Sequence, residues 1–269
     1  MDFGALIKKS FDYTKEGLFG NPSTWVILII LALLPAIPFI LAVISMLPVL
    51  MTGALPDIPT LIGVFAVAFI VAVILSAFCQ GYLIKIFRGE TPLPAVSGYG
   101  AMFTDGIKYI VIEFIYLIPF IVFLAITLGY AFMAAMSTGP SLDALLPIII
   151  SVLVSVLVAL VIAFILFLFI VIGVIRFART GSIGEAFNFS AIVATIRSIG
   201  WGSYILALVI GIAIVVIVQM ILGIIPYIGW LLQVIVSPFI SVFFTRYLTM
   251  VYESSEPAMQ VVEPAPGQE

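Results

Sequence analysis

ALLPIIISVLVSVLVALVIAFILFLFIVIGVIRFA, residues 144–178, decides the class of fold. Its only charged residue is Arg176. As an α-helix it would run about 50 Å at 1.5 Å per residue, whereas about 20 apolar residues cross roughly 30 Å of hydrocarbon. Such a helix has no polar face to turn toward water, so the bilayer must be its solvent.

Working outward, the rest of the chain follows the same rule. Hydrophobic residues fill 64% of 269 positions and charged residues 9%; the mean hydropathy is +1.39. A soluble core of this size could not hide so much apolar surface. Six stretches qualify as spans, about 24–48, 60–87, 107–136, 144–178, 202–225 and 227–252. Pro35, Pro38, Pro119 and Pro238 predict kinks or tilts, because proline removes a helical hydrogen bond and clashes with the preceding turn. The fifth and sixth spans meet at Pro226-Tyr227, where one broken helix is the alternative to a hairpin. The expected fold is all-α, a polytopic membrane helix bundle of six transmembrane helices.

Charge sets the expected orientation. Lys8, Lys9 and Lys15 precede the first span; Lys85, Arg88 and Lys108 lie between the second and third. Arg176, Arg179 and Arg197 lie between the fourth and fifth, and Arg246 sits near the end of the sixth. The loops after spans one, three and five hold only Asp57 and Asp143 as charges. All ten basic residues therefore fall on one side. The positive-inside rule makes that side cytoplasmic, with both termini inside and the plasma membrane as the expected location. No signal-peptide pattern opens the chain, so its first apolar run reads as an uncleaved anchor.

Composition also excludes. The net charge of −3 with no basic block gives no electrostatic footprint for nucleic acid. Histidine is absent, which removes the commonest general base and transition-metal ligand. The lone Cys79 allows no intramolecular disulfide, and it and Gln80 read as packing residues. No cofactor motif is present, and none is expected.

An offset of 180 residues aligns Gly4 with Gly184, Gly20 with Gly200 and Ser23 with Ser203. The exits of spans two and four also match, GYLIKIFRG (81–89) against GVIRFARTG (173–181). These matches suggest three units, about 2–90, 94–180 and 182–252, each a short cytoplasmic-face interfacial helix followed by a membrane hairpin. They would form one membrane domain, 1–252, with a disordered acidic tail at 253–269. The first interfacial helix sets Phe3, Leu6, Ile7, Ser10, Phe11, Thr14 and Leu18 on one face and its charges on the other. The segments at 97–109 and 183–199 are less cleanly amphipathic and are candidates for packing on the bundle. Asp2 is placed to cap the first helix, and Ser182 with Glu185 fits a capping box.

A resemblance arises from these junctions. Arg88-Gly89, then Pro92 and Pro94, then Met102-Phe103-Thr104-Asp105-Gly106-Ile107-Lys108, resemble a signature of the DUF4013 family. The segment RFARTGSIGEAF (176–187) is similar to that family's second landmark. The resemblance extends over roughly residues 20–250. It implies a largely archaeal multi-pass membrane protein and brings no activity with it.

Three sets of residues are candidate sites. Asp105, Tyr109, Glu113 and Tyr116 share a sector of one helix, with Glu113 about 7–8 Å beyond Lys108. That polar stripe could handle a proton or cation, or Glu113 could pair with Lys85 or Arg176. Lys85, Arg88, Arg176, Arg179 and Arg197 are candidates to face anionic lipid headgroups. Two rows spaced by four, Ser203 to Gln219 and Gln233, Ser237, Ser241 to Thr249, read as helix-packing surfaces, with Gln219 and Gln233 at equal depth. The partners expected are the bilayer, anionic headgroups and other membrane proteins.

These features favour a non-enzymatic membrane scaffold, sensor or assembly component. A small transporter or channel built on Glu113 is the alternative. A cytoplasmic-face lipid-modifying enzyme using Asp105 and Glu113 ranks third, because no metal- or phosphate-binding motif accompanies them.

Overall fold

The computed structural model describes residues 1–53, 56–137 and 142–255, with side chains throughout except at 142–145. The regular elements among them are helical: α1 (Phe3–Phe19), α2 (Pro22–Leu33), α3 (Ile37–Met51), α4 (Ile58–Phe87), α5 (Tyr99–Ser137), α6 (Leu142–Thr180), α7 (Phe189–Ile199), α8 (Trp201–Ile224) and α9 (Gly229–Glu253). Short 3-10 turns occupy Leu34–Ala36 and Ile183–Phe187. Residues 256–269 of the expected acidic tail lie outside the described residues, as does the side chain of Asp143.

Six segments are long and apolar enough to cross a membrane: Pro22–Met51, Ile58–Phe87, Tyr99–Ser137, Leu146–Thr180, Trp201–Ile224 and Gly229–Glu253. The chain is a multi-pass membrane protein. Its exposed surface supports this reading, because α5 turns Phe132 and Met133 outward and α6 turns Leu157 and Leu160 outward. Such side chains are stable outside only in lipid. Pro35 breaks the first crossing into α2 and α3 through the 3-10 turn. At the other tight junction α8 and α9 are separate helices. Tyr227 takes φ 63 there, and the Gly229 N–H donates to Ile225 O at 3.1 Å.

Helix starts follow simple capping chemistry. The Asp2 carboxylate accepts the Ala5 N–H at 3.0 Å and opens α1. Asp57 does the same for α4, accepting the Thr60 N–H at 2.8 Å and the Thr60 hydroxyl at 2.9 Å. Those bonds hold its carboxyl below the usual range.

The three expected interfacial helices take three forms. The first is the separate helix α1, ended at Gly20 before Pro22 starts α2. The second is not separate, since 99–109 are the opening turns of α5. Gly106 does not break that helix; it serves close packing instead, because a Cβ there would overlap the Ala77 carbonyl of α4. The 39 residues of α5 run about 58 Å, so one end extends beyond the hydrocarbon. The third segment is divided into the 183–187 turn and α7, with Asn188 between them at φ −75 and ψ 75. Helix α7 is cleanly amphipathic, burying Ile192 and Ile196 and exposing Arg197 and Ser198.

The chain folds as two compact units. The first contains Met1–Ala32, Lys85–Val96 and the chain from Ser190 onward. Its interior is built from Leu6, Ser10, Thr14 and Leu18 of α1 with Tyr204, Ala207 and Leu208 of α8 and Val242, Tyr247 and Val251 of α9. The second contains Leu33–Ile84 and Ser97–Phe189. Its interior holds Ala77, Tyr82 and Ile84 of α4, Met102, Ile112 and Tyr116 of α5, and Ile172, Ile175 and Phe177 of α6. Glycines let α4 and α5 approach closely: a Cβ at Gly81 would overlap the Met102 backbone, and Phe78 meets Phe103 at 5.1 Å.

Candidate functional site

In the second unit the segment that follows α6 folds back onto it. Gly181 takes φ 73, a conformation that favours glycine, and its N–H donates to Phe177 O at 2.8 Å. The chain then reverses, and the 183–187 turn lies against α6 and α5. Ala186 is fully buried there, and its carbonyl accepts the Tyr116 hydroxyl of α5 at 2.6 Å. The Tyr116 ring stacks on Phe187 at 5.3 Å and meets the edge of Phe189 at 6.2 Å. Gly173 of α6 completes the contact, because a Cβ there would sit 2.9 Å from the Tyr116 hydroxyl.

One turn beyond Gly173, Arg176 pairs with Glu185. Asn188 adds its amide to the same carboxylate at 3.3 Å. The guanidinium bond first, and the Asn188 amide second, hold the Glu185 carboxyl below its usual range. This corrects the capping-box expectation. Ser182 stands at the N-cap but makes no side-chain cap bond; its own N–H donates to Thr180 Oγ1 at 3.3 Å. A charge-assisted bond to Arg176 outcompetes a neutral backbone N–H. The five-residue 3-10 turn also lacks the α-helical geometry that a capping box needs.

The polar stripe on α5 divides. Asp105 lies 3.9 Å from Lys108, and Tyr116 is committed to Ala186. Tyr109 and Glu113 are half-buried, one turn apart. Among the described residues no hydrogen bond or ion pair engages the Glu113 carboxylate, and the Arg176 considered for it is held by Glu185. Asp105 and Glu113 stand about 12 Å apart along the helix axis, so they do not converge on one reacting bond. Among the described residues no three Cys, Asp or Glu side chains group as a metal site.

In the first unit, Pro238 lies inside α9 and deprives Val234 O of its usual N–H. The Ser237 hydroxyl donates to that carbonyl at 2.9 Å. The next carbonyl, Ile235 O, accepts the Trp25 indole N–H of α2 at 2.9 Å. Gln233 Nε2 donates across the hairpin to Gln219 O at 3.4 Å. Ser241 is half-buried on the same row. Deeper in the pair, Tyr247 donates to Ala207 O at 2.8 Å, while the Thr249 hydroxyl donates to Thr245 O of its own helix at 2.8 Å, with Ile86 O farther off at 3.4 Å. A Cβ at Gly211 would meet the Tyr247 ring at 2.8 Å, so α8 and α9 approach closely at that point.

The five candidate headgroup-facing cations fall in both units. Lys85 donates to Ala95 O at 3.4 Å, and Arg88 and Arg179 also have interactions. Arg197 is exposed on α7. Arg176 is directed at Glu185, so its charge is partly neutralised within the protein.

Sequence reading uses Arg246 only for orientation and gives Tyr13 no role. The Arg246 guanidinium lies 5.0 Å from the Tyr13 ring centroid and 3.7 Å from Glu253, while the Tyr13 hydroxyl donates to Glu90 O at 2.9 Å. Burial pushes the Tyr13 phenol up to about 12, against the opposing pull of the Arg246 charge. Lone residues more than 200 positions apart leave no local signal. Gly173 was more legible, being the aligned counterpart of Gly81.

Comparison with known proteins places this geometry. No curated protein and no solved structure matches the chain. The family model described as a protein of unknown function, DUF4013, matches residues 64–227. The match is narrower at both ends than 20–250, yet it includes most of α4, all of α5 to α8, and the Tyr116, Gly173, Arg176 and Glu185 contact. More than half of the chain is covered, and the chain belongs to the DUF4013 family.

Proposed function

We propose that this protein is a non-enzymatic architectural component of the plasma membrane, a scaffold, sensor or assembly element with both termini in the cytoplasm. The observation that carries the reading is where the buried donors go. In each unit a buried tyrosine reaches a backbone carbonyl of another element: Tyr116 to Ala186 and Tyr247 to Ala207. In a medium without water, such bonds fix helices against one another. The basic residues gathered on one side support a cytoplasmic placement of that side, where Lys85, Arg88, Arg179 and Arg197 would meet anionic headgroups.

The test is crosslinking in native membranes followed by isolation in mild detergent and native electrophoresis. Recovery of the chain in a discrete complex of fixed stoichiometry with other membrane proteins is expected. Recovery only as free chain would count against the reading.

One observation favours a second reading. The half-buried Glu113 has no hydrogen-bond or ion-pair partner among the described residues, and an ionisable group within a span is a candidate for moving protons or cations. Flux through proteoliposomes that disappears in Glu113→Gln would establish this reading. Leakage equal to protein-free liposomes for both forms would remove it.

A further inference from the structure

The polar face of α1 forms one wall of a cleft of about 570 Å³ in the first unit. The opposite wall is the loop after α4, at Thr91, Pro92 and Leu93. Two contacts hold these walls in place. The Tyr13 hydroxyl donates to Glu90 O at 2.9 Å, and Leu93 packs where a Cβ at Gly17 would overlap it. Lys9, Asp12 and Glu16 line the cleft from α1. Among the described residues none of the three makes an ion pair or a side-chain hydrogen bond. Asp12 and Glu16 stand one turn apart, where like charges repel and a cation between them removes the repulsion. Lys9 stands about 4.5 Å from Asp12 along the axis, so charges of both signs line one cleft without neutralising each other. The cleft ends at Gly20 and Asn21, immediately before Pro22 starts the first crossing. Phe19 and Trp25 flank that end and meet edge-on at 5.2 Å. Aromatic rings at the entry of a span mark the level of the headgroups.

We infer that this cleft holds the headgroup of one phospholipid with a primary ammonium, its phosphate on Lys9 and its ammonium between Asp12 and Glu16. A phosphate and an ammonium joined through two carbons span about the rise from Lys9 to Asp12. One cation against two carboxylates leaves this wall net negative, so an anionic headgroup is disfavoured. A primary ammonium donates charge-assisted hydrogen bonds to both carboxylates, whereas a quaternary one has no N–H to give. Nor is there an aromatic cage for a quaternary ammonium. Tyr13 is the one ring among the described lining residues, and Arg246 occupies one of its faces. The inference does not depend on the assembly reading, since Tyr116 and Tyr247, which carry that reading, take no part in the cleft.

The experiment is native mass spectrometry of the full chain, delipidated and titrated with phosphatidylethanolamine, phosphatidylcholine or phosphatidylglycerol of identical acyl chains. Wild type is expected to retain one phosphatidylethanolamine with about threefold to fivefold preference over either competitor, the worth of one exposed ion pair. Asp12→Asn combined with Glu16→Gln should abolish the preference over phosphatidylcholine. Lys9→Gln should lower retention of both zwitterionic lipids while keeping their order. Lys15→Gln, on α1 but outside the cleft, should change nothing. None of these side chains belongs to the buried core. Equal retention of the ethanolamine and choline lipids by wild type, or an unchanged preference in the double variant, would overturn the inference. So would retention of soluble phosphoethanolamine in place of the lipid, which would make the ligand a free solute.

Discussion

Gly173 lacks a side chain where two oxygens, Ala186 O and the Tyr116 hydroxyl, take the space a Cβ would need. Gly173→Ala should therefore overpack a closed contact and cost about 1–3 kcal/mol. Tyr116→Phe removes the donor to a buried carbonyl and should cost a similar amount, about 1–3 kcal/mol. Thermal unfolding in detergent checks both, and a variant within error of wild type would show that the contact does not hold α5, α6 and the turn together. Arg176 and Glu185 add a charge-dependent test. The folded Glu185 carboxyl lies below its ordinary value of 4.5. The pair's stabilisation is then complete above the ordinary value and is lost as pH falls through the lower folded one. The melting-temperature gap between wild type and Glu185→Gln should be full near neutrality and close under acid. A gap that widens on acidification would mean that the carboxyl is held protonated instead.

Pro238 inside α9 is the clearest case of an element compensating its own lost hydrogen bond. Ser237 satisfies Val234 O, and Trp25 of α2 adds a bond to the next carbonyl, Ile235 O. Ser237→Ala should destabilise by about 1–3 kcal/mol, because it leaves Val234 O in hydrocarbon without a donor. Trp25→Phe should cost less, about 0.5–1.5 kcal/mol, because Ile235 O keeps the helical Phe239 N–H. A thermal shift that vanishes when Pro238→Ala is combined with Ser237→Ala would identify the proline as the cause. Persistence of the full loss in the combined variant would refute that link. The same contrast between local and remote causes explains how much was legible in sequence. Span positions, the Asp2 cap, the Pro35 break and the close approach of α8 to α9 follow from hydropathy and short spacings. The continuity of α5 does not. Gly106 looks like Gly20 and Gly200 in sequence, yet Gly20 is followed by Asn21 and Pro22, and Gly200 takes φ 90. Gly106 has neither feature and is used for contact with Ala77. Likewise the turn at 183–187 depended on Arg176, nine residues earlier, and local capping rules do not include it.

Across the whole chain, the two matched exits share conformation as well as sequence. Gly89 takes φ 85 and Gly181 takes φ 73, each just after a basic helix end, while Gly81 and Gly173 each lie in close backbone contact. In this arrangement the charged stretch around Arg176 is first a junction between two long apolar helices. The proposed topology has six crossings with every basic end in the cytoplasm. Single cysteines introduced on a Cys79→Ala background at Glu16, Thr52, Ser182 and Tyr227, all exposed, test it most directly. With a membrane-impermeant maleimide, Thr52→Cys and Tyr227→Cys should label in intact cells, and Glu16→Cys and Ser182→Cys only in inside-out vesicles. Labelling of Ser182→Cys from outside, or of Ser182→Cys and Tyr227→Cys from the same side, would contradict it.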